Sequence, residues 1–309
     1  MPGAVRPRLP GFPRRSVWKL APRPLSKSQS ASWLRSFVQP APDDIVLVRG
    51  GGDIATGVVW RLHHAGFRVV VAELPEPLTI RRTVAVSSAV VSGHSEIEGL
   101  TARRCEDESS VCSCWGLGEI PVVVAPTLGD LPLSQPMSSI IDCRLAKQPL
   151  DSSIADADIV IALGPGFTVG THCHAVIETM RGHRLGRALF SGMAEANTGN
   201  PGEIEGKSAA RVIRAPQAGR IDWTSKIGDW VEEGTVLGEV VATTQSPVHA
   251  PFTGMVRGLI TPGSQVAAGL KIADIDPRHD PEACLQISDK ALAIGGGVVE
   301  ALHRLSVRS

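Results

Sequence analysis

The sequence predicts a mixed α/β chain: a parallel-sheet domain, then a small all-β module, then a C-terminal helix. Three observations predict it. Ile45–Val48 and Val69–Ala72 are short unbroken apolar runs, the pattern of strands buried on both faces of a parallel sheet. Between them, after Gly50, Gly51 and Gly52, the residues Ile54, Ala55, Val58, Val59, Leu62 and Ala65 recur at helical spacing, giving one apolar face. From Ala215 onward the chain repeats itself with an offset of 35 residues.

The first unit spans Asp44 to Glu73 and has the size of one βαβ motif. Gly66 ends its helix as a C-terminal glycine does. The loop fits the dinucleotide fingerprint G-x-G-x-x-A as Gly50, Gly52 and Ala55, so the domain is expected to be Rossmann-like. Gly50 permits the tight turn, Gly52 lets backbone approach a pyrophosphate, and Ala55 lets the helix pack close to its strand. The amides of Gly51 and of the helix N-terminus offer donors to phosphate. Glu73 ends the second strand, where such folds place a ribose-binding carboxylate. Asp53 opposes this reading, because its charge repels phosphate; as an alternative it caps the helix. A glycine-rich βα turn with no ligand is the competing account.

Composition bounds the rest. The chain has 309 residues, is 43% hydrophobic and is formally neutral, which suits about two domains. No apolar run approaches the roughly 18 residues of a membrane span. Residues 1–42 hold eight Lys/Arg and no acidic group, leaving 23 Lys/Arg against 31 acidic groups and a charge of −8 for the body. A body of that sign is not a nucleic-acid binder. The tail is rich in Pro, Ser and Arg and is expected to be disordered; a targeting segment and a start placed too far upstream both explain it. The six scattered cysteines do not read as a disulfide framework and point to a reducing cytoplasm. Cys112 and Cys114 lack the second pair of a zinc ribbon, so no metal site is expected. The absence of tyrosine removes any mechanism that needs a Tyr acid.

After Glu73, Pro75 and Pro77 mark a loop that leads to Arg81 and Arg82. Two adjacent arginines beside a glycine loop can pair with phosphate or stand solvated at a helix start. Residues 92–120 have weak periodicity. Val122–Ala125, Ser139–Cys143 and Ile159–Leu163 read as further buried strands. The last runs into Gly164-Pro165-Gly166, again the composition of a phosphate nest and equally of a plain turn. In doubly wound folds, loops at the carboxyl ends of parallel strands line one crevice.

If 172–178 is extended, His172, His174, Val176 and Glu178 share one face, and Cys173 turns with Ala175 and Ile177. Cys173 is then core rather than nucleophile. His174 and Glu178 form a candidate acid–base pair, with His183 adding a third group nearby. Surface residues on a hairpin are the bland reading.

The repeat pairs Ala215 with Ala250, Gly219 with Gly254, Gly228 with Gly263, Val231 with Val266, Gly234 with Gly269 and Leu237 with Ile272. Neither half can bury its apolar face alone, so two must stack. Residues 208–276 resemble the biotinyl/lipoyl barrel-sandwich hybrid. The hairpin joining the halves, Ala242–Pro247, has no lysine, so neither biotin nor lipoate is expected. Ser288 caps a terminal helix that reads as interrupted at Gly295–Gly297 and resumes over Val298–Leu305. This segment, 277–309, is expected to pack back on the first domain, 43–207.

The stretches VRGGGDIATG, GPGF, HAVIETMRGHRLGR, TGNPG, RVIRAP, LKIADIDPR and ISDKALAIGGG together resemble the YqeB-type selenium-dependent molybdenum hydroxylase system proteins, over residues 44–304. Those proteins are similar in part to the nucleotide-binding domain of the xanthine dehydrogenase maturation factor XdhC. The resemblance implies an accessory role in maturing molybdenum hydroxylases, including cofactor selenation. Its implied partners are the hydroxylase apoenzyme or cofactor-insertion proteins. A molybdopterin dinucleotide carries the pyrophosphate that a glycine loop holds. Two other classes remain: an NAD(P)-dependent oxidoreductase, and a non-catalytic scaffold that docks a hydroxylase through its β module.

Overall fold

The computed structural model describes residues 44–196 and 211–307. The basic tail at 1–42, the TGNPG motif and the 207/208 boundary lie outside the described residues. Among the described residues, no helix is long and apolar enough to cross a membrane.

Nine strands form one mixed sheet. They are β1 (Ile45–Arg49), β2 (Arg68–Glu73), β3 (His94–Ile97), β4 (Leu100–Cys105), β5 (Ile120–Val124), β6 (Ser139–Asp142), β7 (Ile159–Leu163), β8 (Ala175–Ile177) and β9 (Ala188–Leu189). Their order is β3-β4-β5-β2-β1-β6-β7-β8-β9. The strands from β4 across to β8 run parallel, and β3 and β9 close the edges antiparallel. Strands β1 and β7 are buried at every position, which is why they read as continuous apolar runs. The chain leaves β1 on one side for β2 and later returns on the other side as β6. The carboxyl end of β1 is therefore a topological switch point.

Helices cover both faces. The first, α1 (Asp53–His64), follows the glycine loop, and a single turn, α2 (Ser88–Ser92), comes later. On the opposite face, Val111 and Cys114 of α3 (Glu108–Gly116) join the second core cluster. Residues 92–120 looked aperiodic because they hold an edge hairpin, β3–β4, whose outer positions His94, Glu96, Arg103 and Arg104 are exposed.

The terminal helix α4 (Asp289–Ser306) is capped by Ser288 and packs on α1. It runs unbroken through Gly295–Gly297, contrary to the interruption expected there. A Cβ on Gly57 would lie 2.5 Å from the Ala291 carbonyl carbon, and one on Gly295 would strike the Gly57 carbonyl. The glycines let two helix backbones touch. That close packing offsets the roughly 1 kcal/mol that each glycine costs inside a helix.

Residues 211–276 form two four-stranded antiparallel sheets. One holds β10 (Val212–Arg214), β12 (Trp230–Val231), β15 (Gly254–Leu259) and β17 (Lys271–Asp276). The other holds β11 (Gly219–Trp223), β13 (Val236–Val241), β14 (Gln245–His249) and β16 (Gln265–Val266). The repeat has a physical counterpart. A Cβ on Gly219 would lie 2.5 Å from the Val241 oxygen, and one on Gly254 would lie 2.6 Å from the Asp276 oxygen. The facing carbonyls are themselves 35 residues apart. Leu237 and Ile272 are both fully buried.

This module is fastened to the large sheet. Arg82 Nε donates to the Leu259 carbonyl at 2.7 Å. A Cβ on Gly258 would come within 2.8 Å of Ile80. Strand β15 thus lies against the segment that follows β2.

Candidate functional site

A cavity of about 620 Å³ opens at the carboxyl ends of β1, β2 and β6. Its floor carries Gly50, Gly52, Asp53 and Ala55, with Glu73 and Arg81 on the walls. Six residues that the sequence assigned to cofactor binding therefore share one crevice, at the switch point.

The glycine loop is shaped as a binding turn. Gly50 has φ +90°, a conformation that favours glycine. Gly52 is extended, and a Cβ there would meet nothing nearer than Thr79 Oγ1 at 3.8 Å. Its side-chain position opens on the cavity. No side chain caps α1, and the first hydrogen-bonded amide of the turn is that of Thr56, to the Gly52 carbonyl at 2.8 Å. The preceding first-turn amides face the crevice with the positive end of the helix dipole.

Gly51 and Glu73 are already joined. The Gly51 amide donates to Glu73 Oε2 at 2.7 Å, and the Leu74 amide donates to Oε1 at 2.7 Å. Burial raises the Glu73 carboxyl above its ordinary value, and the amides of Leu74 and Gly51 partly offset this. The sequence offered Glu73 as a ribose ligand; the structure places it as an internal anion that holds the loop. Asp53 sits in the first helical turn and meets Arg81 at 3.5 Å.

The two arginines are tied to other elements. Arg81 is buried, and its guanidinium donates to the carbonyls of Ala283 and Gln286 at 2.9 and 3.1 Å. Arg82 is bonded to Leu259 and does not line the cavity. Their first job is to bind the incoming α4 linker and the β module.

Sequence reasoning missed a charged network on the opposite wall. Arg49 ends β1 and is 2% exposed. It donates to Asp151 Oδ2 at 2.7 Å and to Ser152 Oγ at 3.3 Å. Asp142 ends β6 and is 1% exposed. It accepts from Arg144 Nε and from Ser152 Oγ, at 3.1 and 2.6 Å. Arg144 closes the ring by donating to Asp151 Oδ1 at 2.6 Å. The hydrogen bond from Arg49, and then that from Arg144, pull the Asp151 carboxyl down to about 2. A signal was available: Arg49, Glu73, Asp142 and Glu178 each stand at or just past the carboxyl end of an apolar strand.

The second glycine loop leaves the same sheet edge, since β6 pairs parallel with both β1 and β7. It does not reach the cavity. A Cβ on Gly164 would lie 2.6 Å from Thr179 Oγ1, and one on Gly166 would strike the Lys147 carbonyl. Thr179, just past β8, fills the space beside Gly164, and the segment after β6 fills the space beside Gly166, where a ligand was expected.

His174 and Glu178 do not meet. Strand β8 is only three residues long, and they flank it. His174 lies beside Val160, whose amide donates to its Nδ1 at 3.0 Å, while Glu178 lies past the other end. At about 3.3 Å per residue they stand roughly 13 Å apart. Glu178 is 1% exposed and accepts from the amides of Met180 and Glu195 at 2.7 and 2.8 Å. It secures a turn. His183 is exposed and away from the cavity lining. Cys173 is fully buried, and burial pushes its thiol up to about 12. It packs with Val176 rather than with Ala175 and Ile177, because strict alternation begins only at β8.

No family model matches the chain. It is 47% identical over 266 residues to the uncharacterized protein YqeB of Escherichia coli strain K12, covering 86% of this chain and 48% of that protein. The chain is a relative of YqeB and spans about half of YqeB's length. Among solved structures, it is 11% identical to an aspartoacylase family protein of Mesorhizobium loti, with a TM-score of 0.25 over 76% of this chain and 85% of that one. It is 24% identical to a succinylglutamate desuccinylase/aspartoacylase of Rhodobacter sphaeroides, with a TM-score of 0.21 over 24% of each chain. Scores this low carry neither fold nor site over to this chain.

Proposed function

We propose that this protein is an accessory factor that holds a nucleotide or molybdopterin-type cofactor during maturation of a selenium-dependent molybdenum hydroxylase. The observation that carries the reading is the crevice at the switch point, floored by Gly50, Gly52 and the uncapped start of α1. Open sheets bind phosphate-bearing ligands at that place, and a helix N-terminus favours an anion there. The resemblance of residues 44–304 to the hydroxylase accessory proteins points the cofactor and the partner the same way.

The β module fits this role as a wall and docking element. We read it as a barrel-sandwich of the biotinyl/lipoyl shape that has lost its attachment chemistry. Its β13–β14 hairpin turns through Ala242, Thr243 and Thr244, with no lysine to modify. Use of NAD(P) is less favoured by the geometry, because Glu73 spends both oxygens on backbone amides.

Native mass spectrometry of the purified protein tests the reading. A copurifying nucleotide or pterin dinucleotide that is lost from Gly52→Val is the expected result. A bare protein that binds no nucleoside diphosphate in titration calorimetry would overturn it. Fluorescence enhancement of bound reduced nicotinamide would move the assignment to an oxidoreductase.

A further inference from the structure

Four cations line the crevice: Arg49, Arg81, Arg144 and Lys271. Three are committed. Arg49 is held by Asp151, Arg144 by Asp142 and Asp151, and Arg81 by Asp53 and two backbone carbonyls. The two carboxylates on the loop side, Asp53 and Glu73, are committed as well. Lys271 differs: among the described residues its ammonium has no ion pair and no hydrogen bond. It also comes from another part of the fold, as the first residue of β17 in the β module.

Its place is set by packing. Leu259 of β15 pairs with Ala273, two residues beyond Lys271. The same Leu259 carbonyl is gripped by Arg82, and Gly258 lies against Ile80. These contacts bring the start of β17 to the wall of a cavity whose floor belongs to the other module.

The same cavity has an apolar side. Leu74, Leu78 and Leu150 all line it and are 42%, 52% and 56% exposed. Large aliphatic side chains left open in a concave site suit an apolar or planar group on the ligand. An uncommitted lysine suits a phosphate, which it meets as a point charge.

We propose that Lys271 is the cation that meets the phosphate group of a ring-bearing phosphate ligand, while the ring lies on Leu74, Leu78 and Leu150. The site is then built jointly: the β module gives the charge, and the glycine loop gives the backbone approach. This inference rests on the proposed cofactor-holding function and adds the ligand class and the contributing module.

Calorimetry on the full chain with ADP, GDP and CDP, and with the matching nucleosides, tests it. Loss of one charge-assisted contact is expected to weaken nucleotide binding by about tenfold to a hundredfold in Lys271→Met. Nucleoside binding should be unchanged, the salt dependence of nucleotide binding should flatten, and Lys271→Arg should restore affinity. A general packing defect would instead weaken nucleoside and nucleotide together, which would overturn the assignment. Wild-type affinity for the nucleotides in Lys271→Met, alongside lost binding in Gly52→Val, would also overturn it and leave the cofactor-holding function standing. If the unaltered chain binds none of the three nucleotides, both fall.

Discussion

The glycine loops after β1 and β7 look alike in sequence and differ in use. Both follow fully buried parallel strands, and both leave at the same edge of the sheet. At the first, Gly51 is pressed by the Ser87 backbone, but a Cβ on Gly52 would meet nothing nearer than Thr79 Oγ1 at 3.8 Å. At the second, Gly164 and Gly166 are glycines because other parts of the protein press on them. A glycine in a loop reports that something comes close. It does not report whether that is a ligand or the protein itself.

The largest effect should separate the two loops at once. Gly166 has φ +100°, and its missing Cβ would overlap the Lys147 carbonyl. Gly166→Ala combines left-handed strain with overpacking, so a loss of about 3 kcal/mol is expected. Urea denaturation measures it. A stability within experimental error of the unaltered protein would show that the loop is not packed as described.

Gly52→Val should do the reverse. Gly52 is extended and its Cβ site is open, so the cost should stay near the roughly 1 kcal/mol of a poor N-cap. Nucleotide binding, followed by calorimetry, should fall by about a hundredfold or more, since the branched side chain stands where the phosphate must approach the backbone. A folded Gly52→Val protein with normal affinity would remove the functional difference between the loops.

How much of this was readable beforehand follows from how local each cause is. The first βαβ unit is written in contiguous residues, and its strands and helix fall where the apolar periodicity put them. The network of Arg49, Asp142, Arg144, Asp151 and Ser152 is assembled from three separate segments, so no local pattern announces it. Lys271 lies more than 200 positions from Gly52 and reaches the crevice only because β15 packs on Ile80. The pairing of His174 with Glu178 was drawn from a shared face, but four residues of extended chain hold them roughly 13 Å apart however long the strand is. Gly295–Gly297 read as a break because propensity is local, whereas the contacts of Gly295 with Gly57 and of Gly297 with Gly186 that reward those glycines are not.

Asp151 offers an intermediate effect on the wall of the open crevice. Asp151→Asn takes the carboxylate from a buried Arg49 and leaves it Ser152 and, at 3.5 Å, the Pro126 carbonyl. A loss of about 1–2 kcal/mol is expected. The freed guanidinium then faces the cavity, so nucleotide affinity should rise as stability falls. The acid limb should change too. The Asp151 carboxyl is depressed from 3.8 to about 2, so its contribution is complete above pH 3.8 and disappears as pH falls toward 2. The side chain is 41% exposed, and solvent screening trims the contribution to about 1 kcal/mol. Melting temperature against pH should therefore be flatter below pH 4 in Asp151→Asn than in the parent. Parallel curves would show that the pair contributes nothing.

The smallest effect perturbs no structure, and it compares the loops through their cysteines. Cys112 is exposed, and the other five are buried. Cys143 follows β6 and lines the open crevice, although it is only 5% exposed. Cys173 is fully buried and packs with Phe167, which follows directly on the second glycine loop. Burial raises both thiols, which lowers their thiolate fraction near neutral pH. A thiol reagent at neutral pH should label Cys112 at once. Cys143 should follow through local opening of the crevice wall, and bound nucleotide should slow it. Cys173 needs the packed loop to come apart, so its labelling rate should track global unfolding across a urea series and ignore the ligand. Peptide mapping by mass spectrometry reads all three rates. Equal rates at Cys143 and Cys173 would mean that the crevice wall and the packed loop open together, and the contrast between the two would not hold.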